Sequence, residues 1–329
     1  MIISKTPVRV SFFGGGTDYP DYYKACGGCV LSTSIDKYIF VTVRKANTFS
    51  EFKYKVSYSK LETCKTLEEI EHPVIRAAIK HLNISYGLEI NIISDLPART
   101  GIGSSSTFTV GLLHALYALE GKMVSKQRLA DEAIYLEQVL LNERVGVQDQ
   151  LAAAHGSLNH MVFTEQSLQV NPVIVNRDRK LMLESNLLLF YTGLSRYASI
   201  ILEEQVNKTK TKTINTELQD IKDMVTEGLD ILCNPDRELD DFGRLLHQGW
   251  MKKKMLSSAI SNNFLDEIYE KAMNAGALGG KLLGAGGGGF FLFYVPDDAK
   301  SGVRAALHEL AEVDFRFEND GTRIIHMSM

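Results

Sequence analysis

The chain is predicted to be an α+β protein of two domains, residues 1–185 and 186–329. Three observations lead there. A length of 329 residues is too great for a typical single domain and comfortable for two. Strand-like and helix-like stretches follow one another in mixed order, meeting near residue 185. Within the first half, a strand, a short connector, a Gly/Ser loop and a helix stand in succession, the arrangement of an anion-binding helix start.

Taken in order, Val8 to Phe13 is β-prone and runs into the turn Gly14-Gly15-Gly16. Val30 to Val43 holds further strand-like stretches, and Leu88 to Ile93 alternates as a half-buried strand should. The connector Asp95 to Thr100 leads to Gly101-Ile102-Gly103-Ser104-Ser105-Ser106. From Thr107 to Leu119 the apolar residues Val110, Leu113 and Leu116, widened by Leu112 and Ala115, predict a largely buried helix. Ser125 is placed to cap a second helix reaching about Asn142. Leu187 to Tyr191 reads as a buried strand. Ser199 to Asn274 reads as mostly helical with a break at Asn234-Pro235, and Phe290 to Val295 as a strand.

The bulk composition, 45% hydrophobic and 23% charged, is that of a folded globular chain rather than a disordered one. A net charge of −4 argues against a nucleic-acid partner, for which a basic excess is expected. Four cysteines are too few for a disulfide scaffold of this size. Cys26 and Cys29 form a C-x-x-C with no second ligand pair, so they read as small thiols rather than a zinc site. The opening residues Met1 to Pro7 show no charged stretch leading into an apolar run, and no stretch of 18 uncharged apolar residues occurs. A cytoplasmic protein without a membrane span is therefore expected. A homodimer is compatible with the sequence.

The Gly/Ser loop carries the first chemistry. Unpaired N–H groups at a helix start, together with the helix dipole, favour an anion. Gly101 and Gly103 let the backbone approach phosphate oxygens, and Ser104, Ser105 and Ser106 add hydroxyls. The alternative is a Ser-rich cap without a ligand, but three serines exceed what a cap needs. No G-x-x-x-x-G-K-[ST] occurs. The run Gly284 to Gly289 satisfies G-x-G-x-x-G but leads into a strand-like stretch rather than a helix, so it is not read as a dinucleotide loop. Its glycines are expected to let another backbone or a ligand come close.

Three motifs in order, Pro7 to Tyr19, Leu96 to Ser106 and Lys281 to Gly289, resemble the GHMP kinases over essentially the whole chain. The resemblance implies a ribosomal-S5-like N-terminal domain, a ferredoxin-like C-terminal domain and an active site in the cleft between them. It implies ATP and Mg²⁺ as cofactors, with phosphates on Gly101, Gly103 and Ser104 to Ser106, and the metal on Ser105 and Glu137. It assigns the catalytic carboxylate to Asp149, in the segment Gly146 to Gln150, and a basic partner to Arg9. It places Asp18, Gly15 and Gly16 at the acceptor. Galactokinases carry Glu-His where this chain has Gly15-Gly16, so the first motif looks instead like the heptose 7-phosphate kinase branch, as does Tyr191 to Arg196. The strand of the first motif is more aromatic than is typical of that branch, which leaves a different sugar open. The activity implied is phosphorylation of the anomeric hydroxyl of a sugar or sugar phosphate, foremost D-glycero-D-manno-heptose 7-phosphate. A kinase for an unphosphorylated fucose- or galactose-like sugar and a catalytically silent nucleotide-dependent sensor are the alternatives.

A phosphorylated acceptor needs a second anion pocket. Arg196, Lys37, Arg44 and Arg99 are candidates on position, and Arg196 comes first because it follows the Thr192-Gly193 turn. Without the resemblance, Glu137 reads as a solvated helix residue, Asp149 as a helix cap, Arg9 as half of a surface ion pair, Asp18 as a turn residue and Lys281 as an ordinary solvated lysine.

Overall fold

The computed structural model describes residues 1–194 and 214–328. Arg196 and the Lys-rich stretch that includes Lys208, Lys210 and Lys212 lie outside the described residues. The first half contains β1 (Ile2–Phe13), α1 (Pro20–Cys26), β2 (Gly28–Lys45), β3 (Tyr54–Ser57), β4 (Leu61–Cys64), α2 (Pro73–His81), β5 (Leu88–Ser94), α3 (Ser104–Leu119) and α4 (Lys126–Ile134). A π-helical stretch, Tyr135–Leu140, continues α4. It is followed by α5 (Gln148–His155), β6 (Leu158–Phe163), β7 (Leu168–Pro172) and α6 (Arg177–Ser185). The second half contains β8 (Leu187–Tyr191), α7 (Asn215–Cys233), α8 (Asp240–Leu256), α9 (Asn263–Asn274), β9 (Gly279–Leu282) and β10 (Phe290–Tyr294). It ends with α10 (Lys300–Ala306), β11 (Ala311–Glu312), β12 (Phe317–Glu318) and β13 (Arg323–Met327).

Two sheets organise these elements. The larger runs β13-β1-β2-β5-β3-β4, with β6 and β12 also on β2 and β7 on β6; the smaller runs β11-β8-β10-β9. All neighbours are antiparallel except β3 and β5. Among the described residues the expected strands and helices are present, several of them longer than the sequence pattern implied, while the part of the helical expectation on residues 199–213 lies outside them. Ser125 does cap α4, its hydroxyl accepting from the Arg128 amide. The predicted helical region after residue 199 has a second break, at 257–262, between α8 and α9.

The division at residue 185 is crossed by the end of the chain. β13 pairs with the outer edge of β1, Ile2 opposite Met327, and β12 pairs with β2, Phe317 opposite Ile35. The free N–H and C=O groups along β1 explain this return: an unpaired edge strand is satisfied by any segment that reaches it. Among the described residues no helix is long and apolar enough to cross a membrane.

Two of the contacts between the halves bear on the site. The aromatic end of β1 enters the second half: Phe12 and Phe13 pack edge-on against Phe242 of α8, with ring centroids 5.2 and 5.0 Å apart. This packing accounts for the aromatic character of the first motif. The second junction is between two glycine loops. A Cβ on Gly101 would lie 2.3 Å from the Leu283 carbonyl oxygen, and one on Gly284 would lie 2.3 Å from the Gly101 Cα. Thus Gly284 to Gly289 lets another backbone come close, and that backbone is the Gly/Ser loop itself.

This interlock predicts a contrast. Gly284→Ala, at φ +72° and against backbone, should cost about 2 kcal/mol or more of unfolding free energy. Gly121→Ala, at φ +67° with nothing within 4 Å, should cost only the backbone strain, about 1 kcal/mol. Urea denaturation of both variants checks this; equal losses would mean that the loops do not constrain one another.

Candidate functional site

Arg9 sits in the interior of β1, 4% exposed. A buried guanidinium must be paired, and two partners hold it. Its Nε donates to Asp149 Oδ1 at 2.7 Å and its Nη1 to the Gly101 carbonyl at 2.6 Å. The register of β1 against β2 shifts between Pro7 and Arg9: two steps along β1 match four along β2. Such bulges re-aim side chains near sites. Asp149 lies in the first turn of α5. Its side chain keeps 25% exposure, so the carboxylate anchored by Arg9 is still reachable from solvent. Gly103, the left-handed residue before α3, closes the group: a Cβ there would lie 3.1 Å from Asp149 Cγ and 3.4 Å from Arg9 Cγ. The structure therefore brings Arg9, Gly101, Gly103 and Asp149 into one cluster.

Asp18 is 1% exposed and ties the turn after β1 to the start of α5. Its Oδ1 accepts from the Gly16 amide at 2.9 Å, its Oδ2 faces the Gln148 amide at 3.5 Å, and its carbonyl accepts from Val147. Burial raises its pKa, and the charge of Asp149 adds to the rise. Beside it lies a small set of buried polar atoms that sequence reasoning did not single out. Ser11 Oγ and Gln148 Oε1 have no hydrogen-bond partner. The space where Gly15 has no side chain borders both residues, 3.7 Å from Ser11 Oγ and 3.9 Å from Gln148 Nε2. Buried hydroxyl and amide groups are rarely left unpaired, so this corner suits a ligand rich in hydroxyls.

Glu137 lies in the π-helical stretch and is fully buried. Its Oε2 accepts from Ser106 Oγ at 2.8 Å and from the Gln150 amide. Its Oε1 has no donor in bonding geometry; the Thr109 hydroxyl turns to the Ser105 carbonyl at 3.2 Å. Burial pushes its pKa up to about 7, opposed by the nearby groups of Thr109, Ser106 and Gln150. Here the arrangement differs from expectation in one respect. Ser105 is exposed on the first turn of α3, and the hydroxyl that meets Glu137 is that of Ser106. Ser104 Oγ is buried without a partner. Mg²⁺ takes oxygen ligands and commonly rests on one or two carboxylates plus phosphates and water. The free Glu137 oxygen and the serine hydroxyls fit that demand. Among the described residues no cluster of three or more His, Cys, Asp or Glu offers an all-protein cage.

Two lysines complete the surroundings. Lys281 on β9 is 9% exposed and donates to the Phe12 carbonyl at 2.7 Å, which removes it from the class of solvated lysines. Lys253 on α8 donates to the Leu282 carbonyl at 2.9 Å and to that of Gly284. Burial lowers both pKa values, that of Lys253 to about 7. Arg9 pushes the same way on both, and Lys253 adds to the effect on Lys281. Together with Gly14, Gly15 and Phe13 they line a narrow cavity of about 20 Å³ between the turn after β1 and helices α7 and α8. Lys253 carries no local sequence signal; only the tertiary fold places it. Of the other cations considered, Arg44 is paired with Glu89 at 2.6 Å and Lys37 lies 3.6 Å from Asp36.

Comparison with known proteins gives matches along the chain. A family model described as the GHMP kinases N terminal domain matches residues 64–157, and one described as GHMP kinases C terminal matches residues 231–312, together just over half of the chain. The D-glycero-alpha-D-manno-heptose 7-phosphate kinase of Campylobacter jejuni is 29% identical, with 98% of each chain covered. The bifunctional fucokinase/GDP-fucose pyrophosphorylase of Arabidopsis thaliana is 27% identical over 95% of this chain, which spans 32% of that protein's length. A crystal structure described as a D-glycero-D-manno-heptose 1-phosphate kinase from Bacteroides thetaiotaomicron matches with a TM-score of 0.81 at 25% identity, covering all of both chains.

The Glu137 environment predicts a pH signature. Below its ordinary value of 4.5 the carboxyl is neutral in folded and unfolded chains alike. Between there and about 7 the unfolded chain ionises first, so stability falls as pH rises. Glu137→Gln should remove that fall and stabilise the protein at pH 8 relative to wild type by up to about 3 kcal/mol, with far less effect at pH 4. Denaturation at the two pH values reads it; a difference independent of pH would show that the carboxyl is not held at a raised pKa.

Proposed function

The chain belongs to the GHMP kinase family and has its two-domain fold, and from that premise we propose that it is an ATP-dependent sugar kinase acting on the anomeric hydroxyl of D-glycero-D-manno-heptose 7-phosphate. The observation that carries the reading is the buried Arg9–Asp149 pair, held against the Gly101 carbonyl of the Gly/Ser loop. It sets a cation between the loop that receives an anion and a carboxylate that solvent can still reach.

Phosphoryl transfer asks the protein for alignment and for charge placed where charge develops. The amides at the start of α3, with Gly101 and Gly103, receive the triphosphate, and Ser104 and Ser105 offer hydroxyls to its oxygens. Glu137, oriented by Ser106 and Gln150, would hold Mg²⁺ with a serine hydroxyl; Ser105 is exposed on the same turn to supply it. When bound, the ion neutralises charge on the β- and γ-phosphates. Asp149 orients the acceptor hydroxyl and accepts its proton at the free carboxylate oxygen. An anomeric hydroxyl is more acidic than an ordinary alcohol, so a weak base is enough. Arg9 holds Asp149 in place and faces the transferring group. Asp18 fixes the turn on which the sugar would lie, and Ser11 and Gln148 offer it hydrogen bonds.

The heptose kinases of C. jejuni and B. thetaiotaomicron support a sugar phosphate as acceptor. The fucokinase match supports a second reading, an unphosphorylated monosaccharide. A coupled ADP-release assay over a panel of sugars and sugar phosphates, with ³¹P NMR of the product, separates the two. The expected outcome is a 1,7-bisphosphate from the heptose phosphate. ADP release with neutral sugars alone would replace the acceptor, and no release with any acceptor would end the kinase reading. Asp149→Asn should lower kcat by about 100-fold or more while leaving the KM for ATP nearly unchanged.

A further inference from the structure

We propose that the cavity between the Gly14–Gly15 turn and helices α7 and α8 seats the acceptor's own phosphate, held by the ammonium groups of Lys253 and Lys281. The inference rests on the kinase reading above and adds to it a binding site for a second anion.

Charge is the first argument. Arg9, Lys253 and Lys281 lie within electrostatic reach of one another. Arg9 has Asp149 as its counter-charge. Among the described residues neither Lys253 nor Lys281 forms an ion pair; both ammonium groups donate only to backbone carbonyls in the hydrogen bonds seen. Burial and the neighbouring cations disfavour the charged form of both lysines, and an anion bound between them would restore it. Each ammonium has three donors. Lys281 gives one to Phe12 and Lys253 gives two to Leu282 and Gly284, so donors remain for phosphate oxygens.

Position is the second argument. Among the described residues no carboxylate lines the cavity; its walls there are Phe12, Phe13, Gly14, Gly15 and a few residues of α7 and α8 beside the two lysines. It shares Gly15 with the corner where Ser11 and Gln148 hold unpaired polar atoms. A molecule with a hydroxyl-rich body and an anionic end fits that pairing: the body over Gly15, the anion toward the lysines. The cavity is too narrow for a sugar ring and suited to a small group. None of Gly101 to Ser106 lines it, although Lys253 reaches the carbonyl of Gly284, which contacts Gly101.

The test uses Lys253→Met and Lys281→Met in the full chain, with Lys253→Arg as a charge-retaining control and the far-ultraviolet circular dichroism of each as a check on folding. Steady-state kinetics compare a sugar phosphate with the same sugar lacking the phosphate, and both with ATP. We expect each Met variant to raise the KM for the sugar phosphate by about tenfold or more. The KM for ATP and the weak turnover of the neutral sugar should stay within about threefold of wild type, and the Arg variant should recover part of the loss. Equal losses with both acceptors, or a rise confined to the KM for ATP, overturns the proposal. The latter result would assign the lysines to the γ-phosphate. A second readout needs no turnover: calorimetric titration with inorganic phosphate should show binding to wild type that both Met variants lose. If wild type phosphorylates nothing yet this phosphate binding is present and lysine-dependent, the kinase reading fails while the anion site stands. If wild type is active and binds no phosphate here, the anion site fails alone.

Discussion

The guanidinium of Arg9 is the constraint around which the rest of the site is arranged. A charge in the middle of a buried strand is unfavourable unless it is paired, and here two of its donors are met by two separate parts of the chain. Asp149 comes from the first turn of α5 and the Gly101 carbonyl from the loop before α3. Removing either partner would leave a buried donor unsatisfied, so the two segments are fixed in position by the same side chain. Gly103 is needed at the meeting point because any Cβ would press on both charged groups.

The second domain reaches this centre through backbone. Gly284 and Gly101 are in contact, Gly289 approaches the Thr100 carbonyl, and Thr192 holds Gly289 through its hydroxyl at 2.9 Å. Lys253 then grips the Gly284 carbonyl and Lys281 the Phe12 carbonyl, so lysines from the second half hold backbone of both halves. Packing of Phe12 and Phe13 on Phe242 sets the same boundary from the apolar side. The Gly/Ser loop and the residues proposed to surround the acceptor are thereby held in one frame.

Much of this was legible in the chain itself, because local patterns carry it. The alternation of Leu88 to Ile93, the apolar stripe of α3 and the Ser125 cap are short-range signals, and the elements formed where they pointed. The pairing of Glu137 with Ser106 was not legible. A π-helical stretch departs from the 3.6-residue period, so the face on which Glu137 lies cannot be counted from its neighbours. Lys253 and Lys281 were missed for a different reason. A lysine on a helix, as Lys253, or on a short strand, as Lys281, looks solvated until the element that covers it is known; the Gly284 loop covers the first and β1 the second. The return of β12 and β13 to the first sheet escaped notice because strands of two and five residues carry little pattern. Arg196, the first choice for a second anion pocket, lies outside the described residues.

Arg9 and Asp149 are joined closely enough to act as one unit. A double-mutant cycle on kcat/KM with Arg9→Met, Asp149→Asn and the double variant tests it most directly. The account predicts that the double variant is scarcely worse than the poorer single variant, since either substitution already dissolves the unit. Losses that simply multiply would contradict it, showing that the two residues contribute independently and that their contact has no part in catalysis.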